Sequence, residues 1–166
     1  MKRSILSAVA AVAVSAALAF GLARSEPAET PTQTIAEIVA GSKDHATLAA
    51  LLKESGLIGA FSSPGQFTLF APTDMAFAKL GKATLDDLKK PQNRGKLMEI
   101  LTSHAVPRVI KAADVQSGDL TMMSGKAIPV KVDSGKVTIG GANVVTADVM
   151  ATNGVIHIID GVIVPK

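Results

Sequence analysis

The sequence predicts an α+β domain with its helices first and its strands second. Residues 34–101 repeat apolar side chains at helical spacing, whereas residues 128–164 form short apolar runs, several of which alternate with polar residues. One apolar run of strand length, residues 67–71, lies early, among the helical segments. Helices grouped apart from strands are typical of α+β folds, and 166 residues are enough for one domain.

Capping residues mark the first two helices. Thr34 and Glu37 have the spacing of a capping box, and the helix that they start should end near Gly41. Asp44 is expected to cap a second helix, which Gly56 ends. The apolar face of this second helix consists of Leu48, Leu51 and Leu52.

More helices are expected after the early strand. The turn residues 72–74 should stop that strand and start a helix. Thr84 and Asp87 have capping spacing for a short helix. Pro91 is expected in the first turn of the longest helix, because proline fits a helix start.

Turn signals separate the predicted strands of the last third. Residues 133–135, with the sequence Asp-Ser-Gly, predict a hairpin turn between two alternating segments, and Asn153-Gly154 predicts a tight turn. Apolar runs of strand length then fill residues 155–159 and 162–164.

The N-terminus has the three-part pattern of a secretory signal. Lys2 and Arg3 precede an uncharged stretch rich in Ala, Val and Leu, and small residues before Ala19 and Ala23 offer two cleavage sites. An uncleaved membrane anchor is the alternative, since the stretch could just span a bilayer. Only in that case would the protein contact a membrane, through the signal segment.

These signals divide the chain into three parts. Residues 1–23 are predicted to be the signal peptide, residues 24–33 a flexible leader rich in polar residues and proline, and residues 34–166 the folded domain. The expected location is therefore secreted or periplasmic.

Composition excludes several functions. The chain has no Cys, which excludes disulfides, thiolate catalysis and Cys-ligated metals. The 17 basic and 14 acidic residues give +3, and without Lys2 and Arg3 the balance is 15 against 14, or +1. A nearly neutral body argues against binding to nucleic acid.

Three ordered motifs resemble those of fasciclin-like domains. They are FTLFAPTDMAF at residues 67–77, LTSHAVP at residues 101–107 and NGVIHIIDGVIVP at residues 153–165. The resemblance implies a wedge-shaped β-sandwich of about seven strands flanked by several short α-helices. It also implies a role in adhesion rather than catalysis. Ser103 departs from the family pattern, which has Tyr before the His of the second motif.

The resemblance also supplies the candidate binding residues, Asp148, Val149, Met150 and His104. Residues 146–152 resemble a stretch that relatives use to bind integrins, although Val149 replaces Ile. One interpretation is a ligand-facing Asp148 beside an apolar anchor. The other is that Asp148 accepts backbone hydrogen bonds at a turn and Val149 belongs to the core.

The remaining motif residues are expected to be structural: Asp74, His104, Asn153, Gly154 and His157. His157 lies in an apolar run and is expected to be a hydrogen-bonded core residue. A hydrogen bond between Asp74 and His104 is expected to pin a helix to a strand. The three His residues lack metal-ligand spacing, and the chain lacks a nucleophile elbow and a phosphate loop. No metal, cofactor or enzymatic activity is therefore predicted.

Two functions follow from these observations. The first is an exported adhesion or recognition module that binds a cell-surface or extracellular protein. The alternative is a periplasmic or extracellular carrier of an apolar small molecule, a carotenoid or lipid. Five methionines are expected to fill the core, but they would line a groove in a carrier. They are Met75, Met98, Met122, Met123 and Met150.

The signal peptide is tested by the intact mass of the protein recovered outside the cytoplasm. We expect the chain to begin after Ala19 or Ala23, because both follow small residues at the positions that a signal peptidase reads. A full-length chain recovered from the membrane fraction would instead support the uncleaved anchor.

Overall fold

Short helices precede most of the sheet, in the order that the capping signals predict. The protein is described by a computed structural model over residues 31–165, so the predicted signal peptide and residues 24–30 of the leader lie outside the described residues. Short 3-10 turns occupy Lys43–His45, Pro91–Asn93 and Ala112–Asp114. The α-helices are α1 (Ile35–Gly41), α2 (Ala46–Ser55), α3 (Ile58–Ser62), α4 (Asp74–Leu80), α5 (Lys82–Leu88) and α6 (Arg94–Thr102).

Within residues 31–165, seven strands form one sheet in the order β2-β1-β7-β6-β5-β4-β3. Among these seven strands only β1 and β7 run parallel, and the other neighbours are antiparallel. The predicted fold class, α+β with seven strands and several short helices, is confirmed. The strands are β1 (Phe67–Pro72), β2 (Ala105–Val106), β3 (Gly118–Thr121), β4 (Ala127–Asp133), β5 (Lys136–Ile139), β6 (Ala142–Ala151) and β7 (Gly154–Ile159).

The central strands β1 and β7 are covered on both faces. In β1, Leu69 and Ala71 belong to a core cluster shared with the helices, whereas Phe70 belongs to a second cluster shared with β3, β4 and β5. In β7, Ile156 and Ile159 divide between the same two clusters. Because successive side chains point to opposite faces, a strand buried on both faces reads as a continuous apolar run.

Strand β6 joins strands β1, β2 and β7 on one side of the sheet to strands β3, β4 and β5 on the other. Its first residues pair with β5 at Asn143 and Ala142, and the strand pairs with β7 from Val144 to Ala151. The ladder with β7 shifts register twice between Val144 and Val149. Such bulges re-aim side chains, so this part of β6 does not follow a simple alternation.

Several predicted caps are confirmed. The Thr34 amide donates to Glu37 Oε2 at 2.7 Å, and the Glu37 amide donates to Thr34 Oγ1 at 3.3 Å. The Thr34 hydroxyl also donates to Glu37 Oε2, at 3.0 Å. The hydrogen bonds that the Thr34 amide and then the Thr34 hydroxyl donate to this oxygen lower the pKa of the Glu37 carboxyl. Gly56 ends α2 with a left-handed φ of 79°, and Ser134-Gly135 form the predicted hairpin turn with φ of 49° and 83°.

Two predicted helix starts are wrong. Asp44 does not cap α2; Asp74 from the start of α4 does, accepting a hydrogen bond from the Thr47 amide at 2.8 Å. Thr84 and Asp87 lie inside α5, which begins at Lys82. The reason for the first error is that a polar side chain near a helix end need not turn toward its own helix when another element supplies the acceptor. At α5 no side chain caps the first turn.

The longest helix also differs from the prediction. Pro91 begins a 3-10 turn rather than the first turn of α6, and α6 has nine residues against ten in α2.

Asn153-Gly154 is not the central pair of a tight turn. Among the described non-glycine residues only Ser134 and Asp148 have positive φ, and a type I′ turn requires it at both central positions. The turn instead lies at residues 152 and 153, and Gly154 begins β7.

The predicted core methionines are mostly on the surface. Met122 is buried, but Met75 is 76% exposed and the others are between 38% and 44% exposed: Met98, Met123 and Met150. Core filling is therefore wrong for four of the five, because aliphatic and Phe side chains, with Met122 alone among the methionines, form both clusters.

Gly154→Ala should strongly destabilise the domain. A Cβ at this position would overlap the carbonyl oxygen of Phe67 in the neighbouring parallel strand, and the φ of 155° favours glycine. We expect the free energy of unfolding to fall by at least about 3 kcal/mol. Urea unfolding followed by circular dichroism measures the change.

Gly41→Ala is the matched control, since a Cβ there meets no atom within 4 Å and the φ is not positive. It should change the free energy of unfolding by no more than about 1 kcal/mol. Equal losses in the two variants would contradict the close approach at Gly154.

Candidate functional site

The segment that follows β2 crosses three strands instead of pairing with one. We call residues 107–114 the crossing segment. The buried Thr68 hydroxyl, on β1, donates to the Arg108 carbonyl at 2.7 Å and accepts from the Ile110 amide at 2.8 Å. One hydroxyl therefore satisfies two backbone groups that have no strand partner.

His157, on β7, binds the next backbone group of the crossing segment, the Ile110 carbonyl. Its Nε2 donates to the Ile110 carbonyl at 2.7 Å, and its Nδ1 accepts from the Asp148 amide at 3.3 Å. These partners require a neutral imidazole with its proton on Nε2. The ring is 1% exposed and stacks on Phe70, with 5.3 Å between ring centroids.

Asp148, on β6, is the third side chain that binds the backbone of the crossing segment. Its Oδ1 accepts a hydrogen bond from the Ala112 amide at 2.8 Å, and its own backbone is left-handed, with a φ of 57°. Thr68, His157 and Asp148 thus bind the crossing segment from three neighbouring strands at every second residue. The left-handed backbone is tolerated because Asp adopts it more readily than most residues.

The Asp148 carboxylate nevertheless remains accessible. Asp148 is exposed, and its Oδ2 accepts no hydrogen bond from the rest of residues 31–165. Val149 is half-buried and packs against the helical core cluster, whereas Met150 is 44% exposed. The structure therefore presents a carboxylate and a methionine on one short piece of β6, with Val149 holding that piece to the core.

His104 does not belong to this surface, although the sequence suggested it as a binding residue. It is 1% exposed, and both ring nitrogens are occupied. Nδ1 donates to the Ile100 carbonyl at 2.7 Å, and Nε2 accepts from the Ile163 amide at 2.9 Å. His104 thus ties the C-terminal segment to the end of α6 and offers nothing to a partner.

The predicted hydrogen bond between Asp74 and His104 is absent. Asp74 Oδ1 accepts from the Thr47 amide, and both His104 nitrogens bind backbone groups. Each residue still links separate elements, but through the backbone rather than through each other.

Asn153 is a structural tie of the same kind. It is 2% exposed, and its Oδ1 accepts from the Ile35 amide at 2.9 Å. Its Nδ2 donates to the carbonyls of Phe61 at 2.7 Å and Ser63 at 3.0 Å. One side chain therefore joins α1, α3 and the start of β7.

Sequence reasoning missed Thr68 and the crossing segment. The one available signal was a lone hydroxyl in the apolar run of residues 67–71, since a buried Thr needs a partner. The sequence of residues 107–114 does not predict that their backbone groups bind side chains from three strands.

Burial is the main cause of the pKa shifts of His104 and His45. Burial lowers the pKa of His104 to about 4, against a smaller opposing effect of its hydrogen bond to Ile100. Burial also lowers the pKa of His45, while the nearby Asp44 and Asp74 charges oppose the shift. His45 Nδ1 lies 2.8 Å from the Ser42 hydroxyl, and its buried Nε2 has no hydrogen-bond partner within the described chain.

Residues 31–165 contain neither a candidate metal site nor a candidate membrane span. No cluster of three or more His, Asp or Glu side chains in that range could hold a metal ion. No helix there is long and apolar enough to cross a bilayer.

A fasciclin-domain family model matches residues 43–165. The chain belongs to the fasciclin family. All three sequence motifs lie inside the matched range, so the predicted family is confirmed. In the solved fasciclin-domain pair of the insect cell adhesion molecule Fasciclin I, the matching fold has a TM-score of 0.70 at 21% identity. That match covers 80% of this chain and 51% of the insect one.

Fasciclin relatives span bacteria and animals. Protein sll1483 of Synechocystis sp. is 48% identical over 141 residues, which is 85% of this chain and 78% of that protein. The pig transforming growth factor-beta-induced protein ig-h3 is 33% identical over 138 residues, which is 82% of this chain but 20% of that protein. The immunogenic protein MPB70 of Mycobacterium bovis is 37% identical over 101 residues, 61% of this chain and 51% of that protein.

The free energy of unfolding should decrease as the pH is lowered, because His104 stays neutral in the fold. Between the ordinary pKa of 6.5 and the folded value of about 4, the unfolded chain binds a proton that the native chain does not. Stability from this residue is therefore complete above 6.5 and is lost as pH falls toward 4. From about pH 7 to about pH 5 the loss is about 2 kcal/mol.

His104→Gln isolates this contribution, since Gln retains an acceptor for the Ile163 amide but does not titrate. Urea unfolding of both proteins at the two pH values gives the difference, in which the titration of His45 cancels. If the variant keeps the full pH dependence of the parent, the neutral buried His104 is not its source.

Proposed function

We propose that this fasciclin-family chain is an exported, non-enzymatic adhesion or recognition module that binds a protein on a cell surface or in an extracellular matrix. Its location is secreted or periplasmic. The support is the family membership, the secretory pattern of residues 1–23, and the name of the structural relative Fasciclin I as a cell adhesion molecule.

The observation that carries the proposal is the exposed pair Asp148 and Met150 on β6, of which Asp148 is held by hydrogen bonds. The carboxylate is positioned by the Ala112 amide through Oδ1, which leaves Oδ2 for a partner. The backbone amide of Asp148 is held in turn by His157. A group that is already ordered loses little entropy on binding, so it contributes more affinity than a mobile side chain.

Met150 supplies the apolar part of this surface. It is 44% exposed on a strand whose neighbouring Val149 anchors in the core. Methionine is a flexible apolar side chain that adapts to the surface of a partner. A carboxylate beside such a side chain suits a protein partner that offers a cation next to an apolar pocket.

The apolar-carrier alternative gains no support from the exposed methionines. They lie on α4, on α6, after β3 and on β6, so they do not follow one another along one element. An open apolar recess of about 470 Å³ is lined in part by Ile128, Pro129, Ile163 and Val164, and none of the methionines lines it. We therefore do not propose a carrier.

Asp148→Asn should reduce attachment while leaving the fold intact. Asn keeps an acceptor for the Ala112 amide and tolerates the left-handed backbone, so only the charge is removed. Asp148→Ala would also orphan that amide and lose about 1–2 kcal/mol of stability, which makes it the poorer test. Attachment of protein-coated beads to cells of the producing strain, in a flow chamber, gives the readout.

Met150→Gln should weaken attachment as well, whereas Val145→Thr is the matched control. Val145 is 64% exposed on the same strand but lies outside the Asp148–Met150 piece. Loss of a charged or apolar contact at an interface centre weakens binding by about tenfold or more. If the Asp148→Asn and Met150→Gln variants both attach as well as the parent protein, the Asp148–Met150 surface does not bind the partner.

A further inference from the structure

A second recess lies between the crossing segment and the edge of the sheet. Its volume is about 390 Å³, which is within the usual range for sites that hold small molecules. Its floor is apolar and consists of Ile110, Leu120 and Val130, all members of the second core cluster. An aliphatic group placed on this floor would extend an existing apolar core.

Three charged side chains surround the floor. Arg108 and Asp114 come from the crossing segment, and Asp119 comes from β3. None of them forms an ion pair or a side-chain hydrogen bond within residues 31–165, where the two ion pairs are Lys90–Asp87 and Lys126–Glu99. Charges of both signs therefore line the recess, and none of the three has a partner among the described residues.

The backbone around the recess is fixed. Thr68 binds the Arg108 carbonyl, and the Asp114 amide donates to the Lys111 carbonyl at 2.9 Å. Asp119 lies on β3, opposite Pro129 of β4. The charges therefore start from fixed backbone positions, which lowers the entropic cost of binding a ligand between them.

We propose that this recess binds a zwitterion of the α-amino acid class with an aliphatic side chain. The ligand carboxylate pairs with the Arg108 guanidinium, which presents donors in a geometry that matches carboxylates. The ligand ammonium lies between Asp114 and Asp119, and the aliphatic side chain rests on the apolar floor.

The charges of the recess favour a zwitterion over simpler ions. A plain anion would approach two carboxylates as well as the guanidinium, and a plain cation would face the guanidinium. A zwitterion pairs its carboxylate with the guanidinium and its ammonium with the two carboxylates of the recess. Neither of its charges is then desolvated without an opposite charge beside it.

Equilibrium dialysis of the exported protein with radiolabelled L-leucine, L-isoleucine and L-valine tests the proposal. We expect saturable binding of at least one of them, competed by the unlabelled amino acid. L-leucinol, which lacks the carboxylate, and N-acetyl-L-leucine, which lacks the ammonium, should each compete about tenfold or more weakly than L-leucine. No saturable binding of any of the three, or equal competition by both analogues, would overturn the proposal.

Variants locate the binding. Arg108→Gln and Asp119→Asn should each weaken binding about tenfold or more, since each removes one charged partner. Lys111→Gln is the matched control, because Lys111 is an exposed cation of the same segment that does not line the recess. Arg108 anchors the segment through its carbonyl, so the substitution should leave the thermal unfolding temperature unchanged. Binding that is unaffected by both variants would overturn the assignment to this recess.

Discussion

The crossing segment places backbone amides and carbonyls against a buried sheet without a strand to pair with them. Such groups cost free energy unless each finds a partner. Thr68, His157 and Asp148 provide those partners from three adjacent strands, at alternate residues of the segment. The parallel pairing of β7 with β1 on one side and its antiparallel pairing with β6 on the other place the three side chains on adjacent strands. The path of residues 107–114 therefore depends on this one set of hydrogen bonds.

The Asp148–Met150 surface and the recess beside Arg108 both depend on these hydrogen bonds to the crossing segment. Asp148 is held by the segment through Ala112 and presents its second oxygen to solvent, and the bulge in β6 gives it the backbone conformation to do so. At the other end, Arg108 is held through its carbonyl and extends its side chain to the recess. A segment that is not a strand of the sheet can thus position charged groups as firmly as a strand does, because its backbone is bound by a rigid sheet.

Buried histidines serve this fold as neutral hydrogen-bonding groups. His157 donates from Nε2 and accepts at Nδ1, whereas His104 donates from Nδ1 and accepts at Nε2. Each joins two backbone groups that belong to different elements. A neutral imidazole can do this in either orientation, and a charged one would lose the acceptor. In a chain without Cys, such side-chain bridges, together with Asn153, link helices, loops and strands where no disulfide can.

The sequence alone determined the family, the α+β class and the features that depend on near neighbours. The capping box of Thr34 and Glu37, the hairpin turn at Ser134-Gly135 and the buried run of β1 obey rules that act over a few residues. Only the tertiary structure decided which distant groups meet. Asp74 caps a helix 27 residues away, Asn153 binds an amide 118 residues away, and His157 reaches a carbonyl 47 residues away. The physical reason is that a polar side chain binds whatever unsatisfied backbone group the packed core brings within reach, and the packing of the whole chain, not local spacing, determines which group that is.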